Sequence, residues 1–130
     1  MSVDRIRRWA PAWLAALFLA SGTLHLVRPQ FFRPLIPSRF PARDAIVGVS
    51  GLAELACAGG LLMRAPWAGP ASAILLAGVF PGNVTFAVKA VTDPRASRLL
   101  RLAAIVRLPL QAPLIWAALQ ARPIRRQPRR

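Results

Sequence analysis

The chain has 130 residues, is 55% hydrophobic and carries a formal net charge of +14, with a mean hydropathy of +0.45. A chain of this length is most simply one domain, residues 1–130. A soluble nucleic-acid binder of this charge would spread its basic residues over one face. Here they avoid four long apolar segments and crowd the gaps between them, which excludes nucleic acid and points to a lipid bilayer as partner.

The first apolar segment, residues 9–27, is 19 residues long, close to the roughly 20 that cross a bilayer as a helix. Arg5, Arg7 and Arg8 precede it. The same pattern could be a secretory leader, with Ala20 and Gly22 near a cleavage point, but three further apolar segments favour a first transmembrane helix. The connection that follows, RPQFFRPLIPSRFPARD over residues 28–44, contains Pro29, Pro34, Pro37 and Pro41, which deny it a regular helix. Phe31, Phe32, Leu35, Ile36 and Phe40 are too apolar for a loop wholly in water. The expectation is a cap in the headgroup layer, with Arg28, Arg33, Arg39 and Arg43 reaching phosphates. An interfacial linker anchored by aromatics fits the same residues.

The second, third and fourth segments cover residues 45–63, 67–91 and 99–121. The predicted fold is therefore all-α: an integral membrane four-helix bundle of four transmembrane helices. A basic, proline-broken tail, residues 122–130, is expected to be disordered against anionic lipid. Four spans leave both termini on one side. The basic residues divide almost evenly between the two faces, so the dense terminal arginines decide the expectation that both termini are cytoplasmic.

Polar residues inside the spans are the candidate site. Glu54 interrupts the run GLAELACAGG, and Arg107 lies within RLAAIVRLPLQAPLIW. Each such charge costs about 3 kcal/mol at a helix centre, so the two are expected to pair. At the helical rise, Glu54 lies ~14 Å below the face carrying the 28–44 connection, Arg107 and Asn83 ~12 Å, and His25 only ~3 Å. Ser50 and Glu54 stand four residues apart, as do Ser21 and His25, and Arg107 and Gln111, so each pair shares a helix face. The predicted pocket is thus His25, Ser50, Glu54, Asn83, Arg107 and Gln111. A purely structural reading stays open beside it: a Glu54–Arg107 pair fixing register, with Asn83 and Gln111 as interhelical glue. Pro81 and Pro109 leave the carbonyls of Ala77 and Ile105 free. The lone Cys57 excludes an intrachain disulfide and reads as a packing residue, and one histidine with no CxxC argues against a protein-held metal.

The segments GTLHLVRPQFFRPLIP, SGLAELACAGGLL, FPGNVTFAV and RLPLQAPLIWA, in that order, resemble the DoxX-like family of small four-helix bacterial membrane proteins. The resemblance covers roughly residues 9–121, and the matching polar positions are His25, Glu54, Asn83 and Arg107. It implies the bacterial inner membrane and an association with quinone-linked sulfur oxidation. The expected function is an accessory or quinone-interacting component of a membrane redox system, with a membrane redox protein as partner. No catalytic set transfers with the resemblance, and the sequence leaves open whether the chain is an enzyme. A small-molecule transporter or permease and a non-catalytic assembly protein are the alternatives.

Overall fold

The computed structural model describes residues 2–122. Its helices are α1 (Val3–Val27), α2 (Arg43–Leu62), α3 (Ala68–Thr92) and α4 (Arg98–Leu119), and no strand occurs among the described residues. All four are long and apolar enough to cross a membrane. Their outward faces carry large apolar side chains such as Trp13, Ile74 and Leu99, each more than 70% exposed. Such surfaces are unfavourable in water and required in hydrocarbon. The chain is a multi-pass, all-helical membrane protein. The basic tail expected over residues 122–130 falls, apart from Arg122, outside the described residues.

Helix α1 begins at Val3, six residues before the apolar segment. Charge bars Asp4, Arg5, Arg7 and Arg8 from the hydrocarbon, but it does not bar them from a helix. Between α2 and α3 the chain reverses in a short turn. The Ala65 N–H donates to the Gly60 carbonyl at 2.9 Å and the Arg64 N–H to that of Leu61 at 3.2 Å. This is the paired C-terminal turn that usually places glycine in the left-handed region, yet Arg64 occupies it with φ 54°. At the start of α4 the Ser97 hydroxyl accepts from the Leu100 N–H at 3.1 Å, an N-cap.

The most extensive packing is α1 on α2 and α3 on α4, with smaller α2–α3 and α1–α4 seams. The helices thus form an up-and-down ring in which α2 and α4 lie across the bundle. Small residues set how closely helices approach in a membrane. A Cβ placed on Gly51 would sit 2.7 Å from the His25 Cβ and 3.0 Å from the Gly22 carbonyl oxygen. One placed on Gly22 would sit 2.8 Å from the Gly51 carbonyl oxygen. The α1–α2 crossing is therefore as close as backbones allow, at these two glycines.

The apolar core is unequal along the bundle. In the half nearest the termini all four helices contribute, through Leu14, Ala15, Phe18, Ala58, Leu61, Leu76 and Ala118. In the other half a second cluster, Ala87, Ala90 and Ala104, belongs to α3 and α4 alone. There the interior of the α1–α2 side is polar.

The 28–42 connection covers that polar end. It contains two single 3₁₀ turns, Pro29–Phe31 and Arg33–Leu35, and no longer helix, as its prolines require. Three contacts tie it down. Arg33 pairs with Asp44 in the first turn of α2, Lys89 of α3 donates to the Pro34 carbonyl, and Phe32 stacks on His25 of α1. Arg33, expected to reach lipid phosphate, is engaged by Asp44 instead, because that carboxylate stands next to it at the helix start.

The glycine contacts yield a direct check. Gly51→Ala and Gly22→Ala force backbone apart and should destabilise the protein by about 1–3 kcal/mol. Gly48 and Gly59 have nothing within 4 Å of such a Cβ. Alanine there should be neutral or stabilising by up to ~1 kcal/mol, from helix propensity. Thermal unfolding of the four variants in one mild detergent separates the two classes.

Candidate functional site

The glycine crossing determines what meets Glu54. His25 follows Gly22 by three residues on α1 and Glu54 follows Gly51 by three on α2, so both lie on the contact faces of their helices. Both are buried, at 9% and 6% exposure. The His25 Nδ1 lies 3.8 Å from Glu54 Oε2 and 2.8 Å from the Ser21 carbonyl oxygen. The shorter contact assigns the Nδ1 proton as a donor to the Ser21 carbonyl. Phe32 lies nearly flat over the ring, with centroids 3.5 Å apart and planes 20° from parallel.

Glu54 Oε2 is fully buried and has no hydrogen-bond partner among the described residues. At 3.8 Å the imidazole is an electrostatic neighbour and not a hydrogen-bond donor to that oxygen. An unfilled buried carboxylate lone pair is rare and costly, and it marks a place where a donor can bind.

The expected Glu54–Arg107 pair does not form. Arg107 is exposed, and its guanidinium lies over the Phe86 ring at 5.8 Å from the centroid. The reason is the ring order: α2 and α4 are diagonal, and Arg107 sits at the flank of the buried stripe Ala104–Gln111–Ala118. His25 is not near the end of the bundle, as the sequence suggests, because α1 and α2 do not end in one plane. Gly51 lies eight residues from the start of α2, and Gly22 five from the end of α1. Helix α2 therefore runs about one turn further, and the folded connection fills the recess above His25.

Asn83 and Gln111 form a second buried pair between α3 and α4. Asn83 Nδ2 donates to Gln111 Oε1 at 3.4 Å, and Gln111 Nε2 donates to the Leu76 carbonyl. That carbonyl is one residue before the Ala77 carbonyl that Pro81 was expected to expose. Ser50 is half-buried one turn before Glu54 and makes no side-chain hydrogen bond among the described residues. The six predicted positions thus resolve into a His25–Glu54 pair on one hairpin and an Asn83–Gln111 pair on the other, with Ser50 and Arg107 outside both. Cys57 packs in the shared apolar core. No cluster of three or more potential metal ligands occurs among the described residues.

A family model described as Domain of unknown function (DUF8561) matches residues 14–122, which include both polar pairs. The chain belongs to this family. No curated protein and no solved structure matches it.

A double-mutant cycle tests the pairing. Glu54→Gln with His25→Gln should show coupling of at least about 1 kcal/mol in detergent unfolding, as groups in contact do. Glu54→Gln with Arg107→Gln should couple more weakly, because those side chains do not touch. Stronger coupling to Arg107 than to His25 would reverse the assignment.

Proposed function

We propose that the protein is a DoxX-like component of a bacterial membrane redox system that binds a quinone at the His25–Glu54 pair. In this reading it sits in the inner membrane with both termini in the cytoplasm. One observation carries it: a buried carboxylate oxygen without a donor, beside an oriented imidazole. The headgroup is planar and partitions into lipid; its oxygens accept hydrogen bonds in the quinone and donate them in the quinol, so the donor-free Glu54 oxygen suits the reduced form. His25 and Glu54 would hold the oxygen-bearing edge. Phe32, already stacked on the imidazole, would have to move aside or share the ring face. The segment that carries it is held by side-chain contacts and has no long helix.

When bound, a quinone supplies two-electron transfer coupled to protons. The part of the chain is to bind and orient. The Ser21 carbonyl fixes the imidazole, Glu54 offers an acceptor, and either group can hold a proton at the oxygen it faces. The one cysteine cannot form an intrachain dithiol, so electrons would pass to or from a partner membrane protein. Under this reading the chain is an accessory subunit and not an enzyme alone.

The test is the quinone content of the protein purified from membranes in mild detergent. Wild-type protein should retain quinone at a constant molar ratio. Glu54→Gln should retain about tenfold less, the loss expected when a charge-assisted hydrogen bond is removed. A wild-type protein without quinone, or equal retention by a Glu54→Gln variant of reduced stability, would make the pair a packing device.

A further inference from the structure

Two concavities lie at the opposite end of the bundle from His25 and Glu54, and neither belongs to the site just described. One is a cavity of about 600 Å³ at the terminal face, where the start of α1, the α2–α3 turn and the end of α4 meet. Arg7, Arg8, Arg64 and Arg122 line it, against one acidic residue, Asp4. The other is a groove of about 550 Å³ along the α1–α4 seam, walled by Trp9, Trp13, Leu17 and Trp116. Trp9 lines both, so the basic cavity and the apolar groove adjoin at that side chain.

We propose that these adjoining concavities hold one anionic phospholipid, its phosphate among the four arginines and an acyl chain passing Trp9 to lie along the α1–α4 seam. The chemistry on each side fits one occupant. Four cations against one anion select a negatively charged headgroup, and guanidinium groups match phosphate oxygens bidentately. The groove is apolar and faces the bilayer, so it suits hydrocarbon. Trp9 stands where the two adjoin, as aromatic residues do at the headgroup level. The α1–α4 seam is also the least extensively packed of the four around the ring. A lipid chain lying there would complete the contact.

Arg64 supplies an independent argument. It holds the left-handed position of the α2–α3 turn, where glycine costs least and an arginine pays a conformational penalty. Fold alone would favour glycine. The arginine side chain instead reaches the basic cavity, which makes the turn and the binding site separable by one substitution.

The experiment uses the full chain, delipidated in a neutral detergent, with thermal unfolding as the readout. Phosphatidylglycerol should raise the midpoint saturably, whereas phosphatidylcholine of the same acyl length should not. Arg64→Gly should leave the lipid-free midpoint unchanged or higher while weakening the phosphatidylglycerol effect about tenfold. Arg8→Gln should weaken it similarly, should Arg64→Gly fail to fold. Trp13→Ala should weaken the lipid effect through the groove. Equal response to both lipids, or undiminished response in both arginine variants, would overturn the proposal. A full response to inorganic phosphate alone would also overturn it, by making the cavity a free-anion site without a lipid chain.

Discussion

The close backbone crossing of α1 and α2 at Gly22 and Gly51 is the constraint on which the other features depend. A side chain at either position would collide with the carbonyl of the other helix. With both absent, the helices come near enough for the residues three positions on to meet. Those residues are the one histidine and the one glutamate of the chain. In hydrocarbon there is no hydrophobic drive to press helices together, so close packing of small residues and polar contact must do it. Here the same crossing supplies both.

This arrangement also accounts for the connection between α1 and α2. Because α2 extends about one turn past the end of α1, a recess is left above His25. A solvated linker would leave the imidazole open to the headgroup layer. The segment instead folds into it, with Phe32 on the ring and ties to Asp44 and Lys89 at its edges. The polar end of the bundle is closed by aromatic and proline-rich chain, and the opposite end is held by an alanine- and leucine-rich core shared by all four helices. One end is held by apolar packing, and the other buries the His25–Glu54 pair.

Much of this was legible in the sequence. Segment length gave four spans, and proline spacing gave a long connection without regular helix. Burial cost singled out Glu54, and the four-residue spacing put Ser21 and His25 on one face. What failed was the choice of partner. Opposite charge and similar depth favoured Arg107, but depth along a helix carries no information about which helices are neighbours. Only the ring order puts α4 across from α2, and it follows from packing between distant segments. Gly22 and Gly51 were the available signal: small residues three positions before His25 and before Glu54. The basic cavity at the termini went unread for a similar reason. Its arginines come from three separate stretches of chain, Arg7 and Arg8, Arg64, and Arg122, whose convergence depends on the fold.

The composition itself provides the sharpest test. Because the chain has a single histidine and a single glutamate, cell-free synthesis with ¹⁵N-histidine and ¹³C-glutamate creates one spin pair in the whole protein. Solid-state NMR in lipid bilayers then reads the dipolar coupling between the His25 imidazole and the Glu54 carboxyl carbon. The account predicts a resolved coupling, of the strength that a 3.8 Å approach of Nδ1 to Oε2 implies. No measurable coupling, with Glu54 instead coupled to a ¹⁵N-labelled arginine guanidinium, would contradict it.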